Sequence, residues 1–169
     1  IAATRHAGIP PAAAASALCN FEGVHRRLEL LGMVGGISVY DDFAHHPSAI
    51  ATTLAALQSA YPKGRVLAVL ELRSNTMRAG IHHSVLANSL VSAHLCIVLR
   101  PPGSPEAPLN AALAPLGKKA FVESDVAAIV DRLACTAQRG DHVVIMSNGS
   151  FENIHQRLLA RLAVREVES

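Results

Sequence analysis

Ile37-Ser38-Val39-Tyr40-Asp41-Asp42-Phe43-Ala44-His45-His46-Pro47 decides the fold. A short apolar, β-branched run ends in two carboxylates, and two imidazoles follow before Pro47. Pro47 suits the first turn of a helix, because its fixed φ fits and its missing N–H would have had no partner there. The stretch therefore reads as a strand turning directly into a helix. In an open α/β sheet, ligands bind outside the carboxyl ends of the strands. Titratable residues crowded into that corner mark a candidate site.

The pattern extends in both directions. Upstream, Ala2 to about Leu18 is Ala-rich and broken at Gly8-Ile9-Pro10-Pro11, which predicts the end of one helix, a turn and a second short helix. Val24–Leu31 alternates as a strand, and Gly35-Gly36 makes a tight turn into Ile37–Phe43. Downstream, Ser48–Ala60 has helical spacing. Arg65–Leu72 is a nearly continuous apolar run, as in a strand buried on both faces. A helix over Ile81–Ala93 and a strand over Leu95–Leu99 follow, then a Pro- and Ala-rich loop to about Pro115 and a short strand at Lys119–Val122. Ser124-Asp125 caps a helix running to about Ala137, and His142–Met146 is the next strand. A last helix over Phe151–Val164 carries Ile154, Leu158, Leu159 and Leu162 on one face. Alternation throughout predicts an α/β, doubly wound, mostly parallel Rossmann-like sheet of about six strands flanked by helices.

Composition narrows the function classes. With 169 residues, half of them hydrophobic and 17% charged, the chain can bury one substantial core. A net charge of +2, scattered basic residues and 4% aromatics argue against nucleic acid as a partner. The three cysteines, Cys19, Cys96 and Cys135, are far apart and form no C-x-x-C pair, which fits a reducing cytoplasm. Cys96 and Cys135 read as buried small residues. No apolar run approaches a membrane span, so no membrane partner is expected. The chain opens at Ile1 within a helical pattern and reads as a piece of a longer protein.

Three strand ends carry polar clusters: Asp41-Asp42 with His45-His46, Glu71 with Arg73-Ser74-Asn75-Thr76, and Ser147-Asn148-Gly149-Ser150. Asp, Asn and Ser are ordinary helix caps, but three such clusters at carboxyl ends predict a shared cleft. An acidic residue there can accept from sugar hydroxyls or help hold a metal. Arg73 offers a planar fork for a carboxylate or phosphate. Ser147 and Asn148 bring adaptable donors beside a helix N-terminus. Neither G-x-x-x-x-G-K-[ST] nor G-x-G-x-x-G occurs, so neither usual triphosphate cradle is present.

Asn20-Phe21-Glu22-Gly23-Val24-His25-Arg26-Arg27-Leu28-Glu29 and Asp41-Asp42-Phe43-Ala44-His45-His46-Pro47 together resemble the carboxy-terminal domain of the Mur ligases, the ATP-dependent amide-forming enzymes of peptidoglycan synthesis. Arg73-Ser74-Asn75-Thr76-Met77 and Met146-Ser147-Asn148-Gly149-Ser150-Phe151 with Ile154-His155 look most like the branch that joins UDP-N-acetylmuramate to a recycled murein tripeptide. The resemblance implies that residues 1–22 are the tail of a central ATP-binding domain with its linker, and 23–169 the C-terminal domain. It implies nucleotide contacts at Arg27 and Asp42, and amine-substrate contacts at His45, Arg73, Asn75, Ser147 and Asn148. ATP and Mg2+ would be held mainly outside this chain, no catalytic or metal-ligating residue would lie within it, and the domain would not catalyse alone. Its partners would be the two substrates and the N-terminal and central domains of the same protein. Leu72, where that branch has Pro, and Ser150 with Glu152, where it has a Gly-rich run, depart from the pattern beside the expected peptide pocket.

Alternatives are another Mur ligase, such as the one that adds L-alanine to UDP-N-acetylmuramate, and a receiver-like phosphoacceptor module. A receiver needs a Lys at the end of a later strand, whereas the last strand here ends in Met146-Ser147-Asn148. A metal-dependent hydrolase using Asp41, Asp42, His45 and His46 is weaker still, because neighbouring residues on a strand point to opposite faces.

Overall fold

A computed structural model describes residues 1–21 and 23–168, so Glu22 and Ser169, which close the two expected domain ranges, lie outside the described residues. Among the described residues six strands form: β1 (Glu29–Val34), β2 (Ile37–Asp42), β3 (Val66–Glu71), β4 (Leu95–Leu99), β5 (Ala120–Glu123) and β6 (His142–Met146). The helices are α1 (Ala2–His6), α2 (Pro11–Leu18), α3 (Pro47–Ala60), α4 (Asn75–Arg78), α5 (His83–Ser89), α6 (Glu106–Leu113), α7 (Val126–Thr136) and α8 (Ile154–Glu168). Strand order is β1-β2-β6-β3-β4-β5. Only the β1–β2 hairpin is antiparallel, turning at Gly35 and Gly36 with φ of 57° and 75°; the other neighbours are parallel. The sheet agrees with the sequence reading.

Period-two alternation divides the core between two faces. Val66, Ala68 and Leu70 of β3 join Ile50 and Leu54 of α3, Leu86 of α5 and Leu109 of α6. Leu67 and Val69 join Ile129 and Leu133 of α7 and Leu158 and Leu162 of α8. Each fully buried Val or Leu contributes about 1.5–3 kcal/mol relative to exposure, so β3 is a rigid central strand. Of α1 and α2, only Ala14 is buried.

Some boundaries differ from the sequence reading. Val24–Arg27 is a turn and the strand begins at Glu29, because Arg26 and Leu28 take φ of 56° and 47°. The helix expected over Ile81–Ala93 contracts to His83–Ser89, preceded by the short α4 and by Gly80 at φ 73°. The expected loop before Pro115 contains α6, which buries Leu109 and Leu113. The last helix starts at Ile154 because Phe151, Glu152 and Asn153 all have positive φ. Cys96 is buried but Cys135 is exposed, on the opposite side of α7 from Ile129 and Leu133.

Candidate functional site

β6 lies between β2 and β3, and the chain leaves these strands in different directions. From β2 and β3 it passes to α3 and α5 on one face; from β6 it passes to α8 on the other. The carboxyl end of β6 is thus a topological switch point on both sides, where α/β sheets open a crevice. All three polar clusters meet there. Asp42 pairs in register with Met146, as does Leu70, so Ser147 emerges between Phe43 and Glu71.

Asp41 and Asp42 point to opposite faces, as strand geometry requires. Asp42, 3% exposed, accepts at Oδ1 from the Ala44 N–H (2.8 Å) and the Thr53 hydroxyl (3.1 Å), and at Oδ2 from the Leu28 N–H (2.9 Å). The Ala44 bond is the local device that turns β2 into α3. Asp41 faces α8. Its Oδ2 accepts from Arg26 Nε at 3.0 Å, and its Oδ1 lies 3.3 Å from His155 Nε2, close enough to interact but not aligned for a hydrogen bond. Burial pushes the His155 imidazole below its usual range, against the opposing pull of Asp41.

Arg26 was not singled out by sequence, yet it binds this corner together. Its Nη2 donates to the carbonyls of Ser147 (2.7 Å) and Gly149 (2.9 Å). Its backbone N–H donates to Glu29 and its carbonyl accepts from the Phe43 N–H. Left-handed φ at a non-glycine residue costs about 1–3 kcal/mol and persists only where surroundings over-determine it. Arg26 and Leu28 form one such segment, and Phe151–Asn153 another, both bordering the crevice. No sequence signal marks a left-handed Arg, Leu or Phe.

The expected site residues fall into two groups. Arg27, Arg73 and Asn75 are exposed, with no side-chain partner among the described residues. His45 is half-buried, its Nδ1 3.0 Å from the Phe43 carbonyl and its ring edge-on to Phe43. Asn148 is half-buried, and its Oδ1 is buried without a donor among the described residues. Asp42 and Ser147 are instead enclosed. Ser147, 0% exposed, donates its hydroxyl to Glu71 Oε2 and accepts at Oγ from the Gly149 N–H. Its hydroxyl thus cross-links β6 to β3.

Arg73 lies across Gly149: a Cβ built there would stand 2.5 Å from Nη1 and 2.6 Å from Cδ. Arg73 also lines a cavity of about 300 Å³ with Glu71, Leu72, Leu99, Pro101 and Pro102. Leu72, the departure noted above, is buried in this wall. Arg27 lines a second hollow of about 580 Å³ with Gly23, Val24 and Leu30. Among the described residues, no group of three His, Cys, Asp or Glu side chains is placed to hold a metal ion. No helix among them is long and apolar enough to cross a membrane.

Residues 26–149 match the family model described as Mur ligase, glutamate ligase domain. The chain is 49% identical over 164 residues to the UDP-N-acetylmuramate--L-alanyl-gamma-D-glutamyl-meso-2,6-diaminoheptandioate ligase of Escherichia coli (strain K12), covering 96% of this chain and 36% of that one. It thus spans about a third of the length of that curated relative. A solved murein peptide ligase from Psychrobacter arcticus superimposes with a TM-score of 0.75 at 41% identity, over 96% of this chain and 35% of the other. A solved domain of a Haemophilus ducreyi protein, described as a putative ligase of the same reaction, gives a TM-score of 0.67 at 42% identity. That match covers 81% of this chain and all of the solved one.

Proposed function

The chain belongs to the Mur ligase family, and from that premise we propose that it is the C-terminal, substrate-delivering domain of an ATP-dependent ligase. The reaction joins UDP-N-acetylmuramate to a murein tripeptide during peptidoglycan recycling, in the cytoplasm. Residues 1–22 are then the tail of the central domain with its linker. Ile9, Leu18 and Phe21 of that segment are exposed, which suits packing against the rest of that domain. The receiver-like alternative gives way to the family match.

ATP supplies activation of the muramate carboxylate, and the peptide amine captures it. Catalysis of this kind is largely positioning and charge neutralisation, which a closing domain can provide while excluding water. Arg27, exposed beside a hollow, is our candidate for reaching the nucleotide. Asp42, whose oxygens already accept three hydrogen bonds, serves it indirectly by fixing Leu28. Mg2+ ligands and the triphosphate cradle would belong to the central domain. Arg73, Asn75, His45 and Asn148 would face the peptide. Ser147, being enclosed, would act by holding Glu71 and the turn in place.

The observation that carries this reading is Arg73, an exposed guanidinium with no partner among the described residues, at the mouth of a cavity beside the switch point. The tripeptide bears several carboxylates, and an Arg fork selects them bidentately in a way Lys cannot. In the full-length ligase, Arg73→Lys should weaken peptide use by about 1–3 kcal/mol, with the KM values for ATP and UDP-N-acetylmuramate nearly unchanged. Unaltered KM and kcat for the tripeptide would leave Arg73 a bystander.

A further inference from the structure

The turn after β6 is held from two sides. On one, Arg26 Nη2 donates to the Ser147 and Gly149 carbonyls; on the other, Arg73 lies over the α-carbon of Gly149. The same Arg26 anchors the loop that carries Arg27. Its backbone N–H donates to Glu29 Oε2 (2.8 Å), its carbonyl accepts from Phe43 (2.9 Å), and its Nε is fixed on Asp41. Arg27 therefore sits between two residues locked in the left-handed region, Arg26 and Leu28, the second tied to Asp42. The Arg26 guanidinium also packs on the Phe43 ring, 5.2 Å from its centroid.

From this geometry we infer that Arg26 is a positioning residue coupling the two halves of the site: one guanidinium sets both the loop that presents Arg27 and the turn on which Arg73 rests. This rests on the assignment of Arg27 to nucleotide and Arg73 to peptide made above. Arg26 touches neither substrate and acts through both arginines. Its side chain is 23% exposed and its Nε and Nη2 are already engaged, so a direct ligand role is poorly suited to it. Lysine cannot replace it, because a single ammonium cannot reproduce the planar set of bonds to a carboxylate and two carbonyls.

The test is steady-state kinetics of the full-length ligase, varying ATP, tripeptide and UDP-N-acetylmuramate in turn. Arg26→Lys should raise KM for ATP and for the tripeptide together, each by about tenfold or more, the scale of one charged hydrogen bond, while KM for UDP-N-acetylmuramate holds. A change in only one of the two, or in neither, overturns the coupling. In the Arg26→Lys/Arg27→Ala double variant, the effect on ATP should be smaller than the product of the single effects, since Arg26 acts through Arg27; full multiplicativity overturns it. A purely structural role predicts neither the two-substrate split nor that non-additivity. Should Arg26→Lys not fold, Asp41→Asn removes the charge opposite Nε but keeps both carbonyl bonds, and must give the same paired effect at smaller amplitude. Single Arg27→Ala and Arg73→Ala variants separate the two levels. If neither disturbs its own substrate, the site assignment has failed; if each does and Arg26→Lys does not disturb both, the coupling has failed.

Discussion

Gly149→Ala turns a stereochemical observation into a kinetic one. A methyl group on Gly149 would stand 2.5 Å from Arg73 Nη1, 2.6 Å from Cδ and 2.8 Å from Cζ, so the Arg73 side chain must leave its seat. The backbone itself accepts alanine, because Gly149 is not among the positive-φ glycines. Alanine at a compatible glycine position stabilises by about 0.4–1 kcal/mol through the unfolded chain. Arg73 is exposed and can rotate into solvent at little cost, so the net change in stability should be within about 1 kcal/mol. Function should change far more. An Arg73 that no longer sits over the turn forfeits a charged hydrogen bond to the peptide, about 1.5–3 kcal/mol, or about 10- to 150-fold in kcat/KM for the tripeptide. Arg73→Ala should give a similar loss, and the double variant little more than either alone, because both remove one interaction. The assay is initial-rate amide formation with the tripeptide varied at saturating ATP and UDP-N-acetylmuramate, alongside a thermal melt. Wild-type peptide kinetics for Gly149→Ala, or losses that multiply in the double variant, would refute the seating of Arg73 on that glycine.

The sheet and the place of the site were legible because both depend on burial patterns. β4, Leu95–Leu99, is a continuous apolar stretch and β6, His142–Met146, is one after its first residue, and both have the bounds that the sequence predicts. The β2–α3 corner was legible because Asp42 and Pro47 do local work that any strand-to-helix turn demands. The division of labour within the site was not. Arg26 and Arg27 are chemically identical neighbours, and only the left-handed backbone at Arg26, imposed by Glu29, Phe43 and Asp41 together, decides which one turns inward. Ser147 looked like an adaptable donor, yet its hydroxyl is consumed by Glu71, a partner 76 positions away. The contact between Arg73 and Gly149 also crosses strands, so no spacing along the chain encodes it. α8 begins later than its helical periodicity indicates because three successive residues adopt a turn that apolar spacing does not record. Features set by long-range bonds stay hidden in a single sequence; features set by period and capping do not.

Two further outcomes follow from enclosed titratable groups. Asp42→Ala strips acceptors from the Leu28 and Ala44 N–H groups and the Thr53 hydroxyl; leaving such donors unsatisfied should cost about 2–4 kcal/mol, a thermal midpoint lower by about 5–15 °C. A midpoint within about 1 °C of wild type would mean these bonds carry no net stability. The second outcome concerns pH. Burial lowers the imidazole pKa of both His142 and His155, although each faces a carboxylate, Asp141 and Asp41 respectively, that pulls the other way. Arg26 adds to the depression at His155, while His142 is stacked on Tyr61 and lies 3.3 Å from the Tyr40 hydroxyl. A folded-state pKa below the unfolded value means the unfolded chain binds protons more readily. Stability from these two groups is therefore complete above the unfolded value, about pH 6.5, and is lost as pH falls through their lowered folded values. Urea midpoints measured between about pH 7 and pH 5 should fall more steeply for wild type than for a His142→Gln/His155→Gln variant. Carboxylates titrate in both proteins, so the difference between the two slopes isolates the imidazoles. Parallel slopes would show that neither histidine is held neutral by the fold.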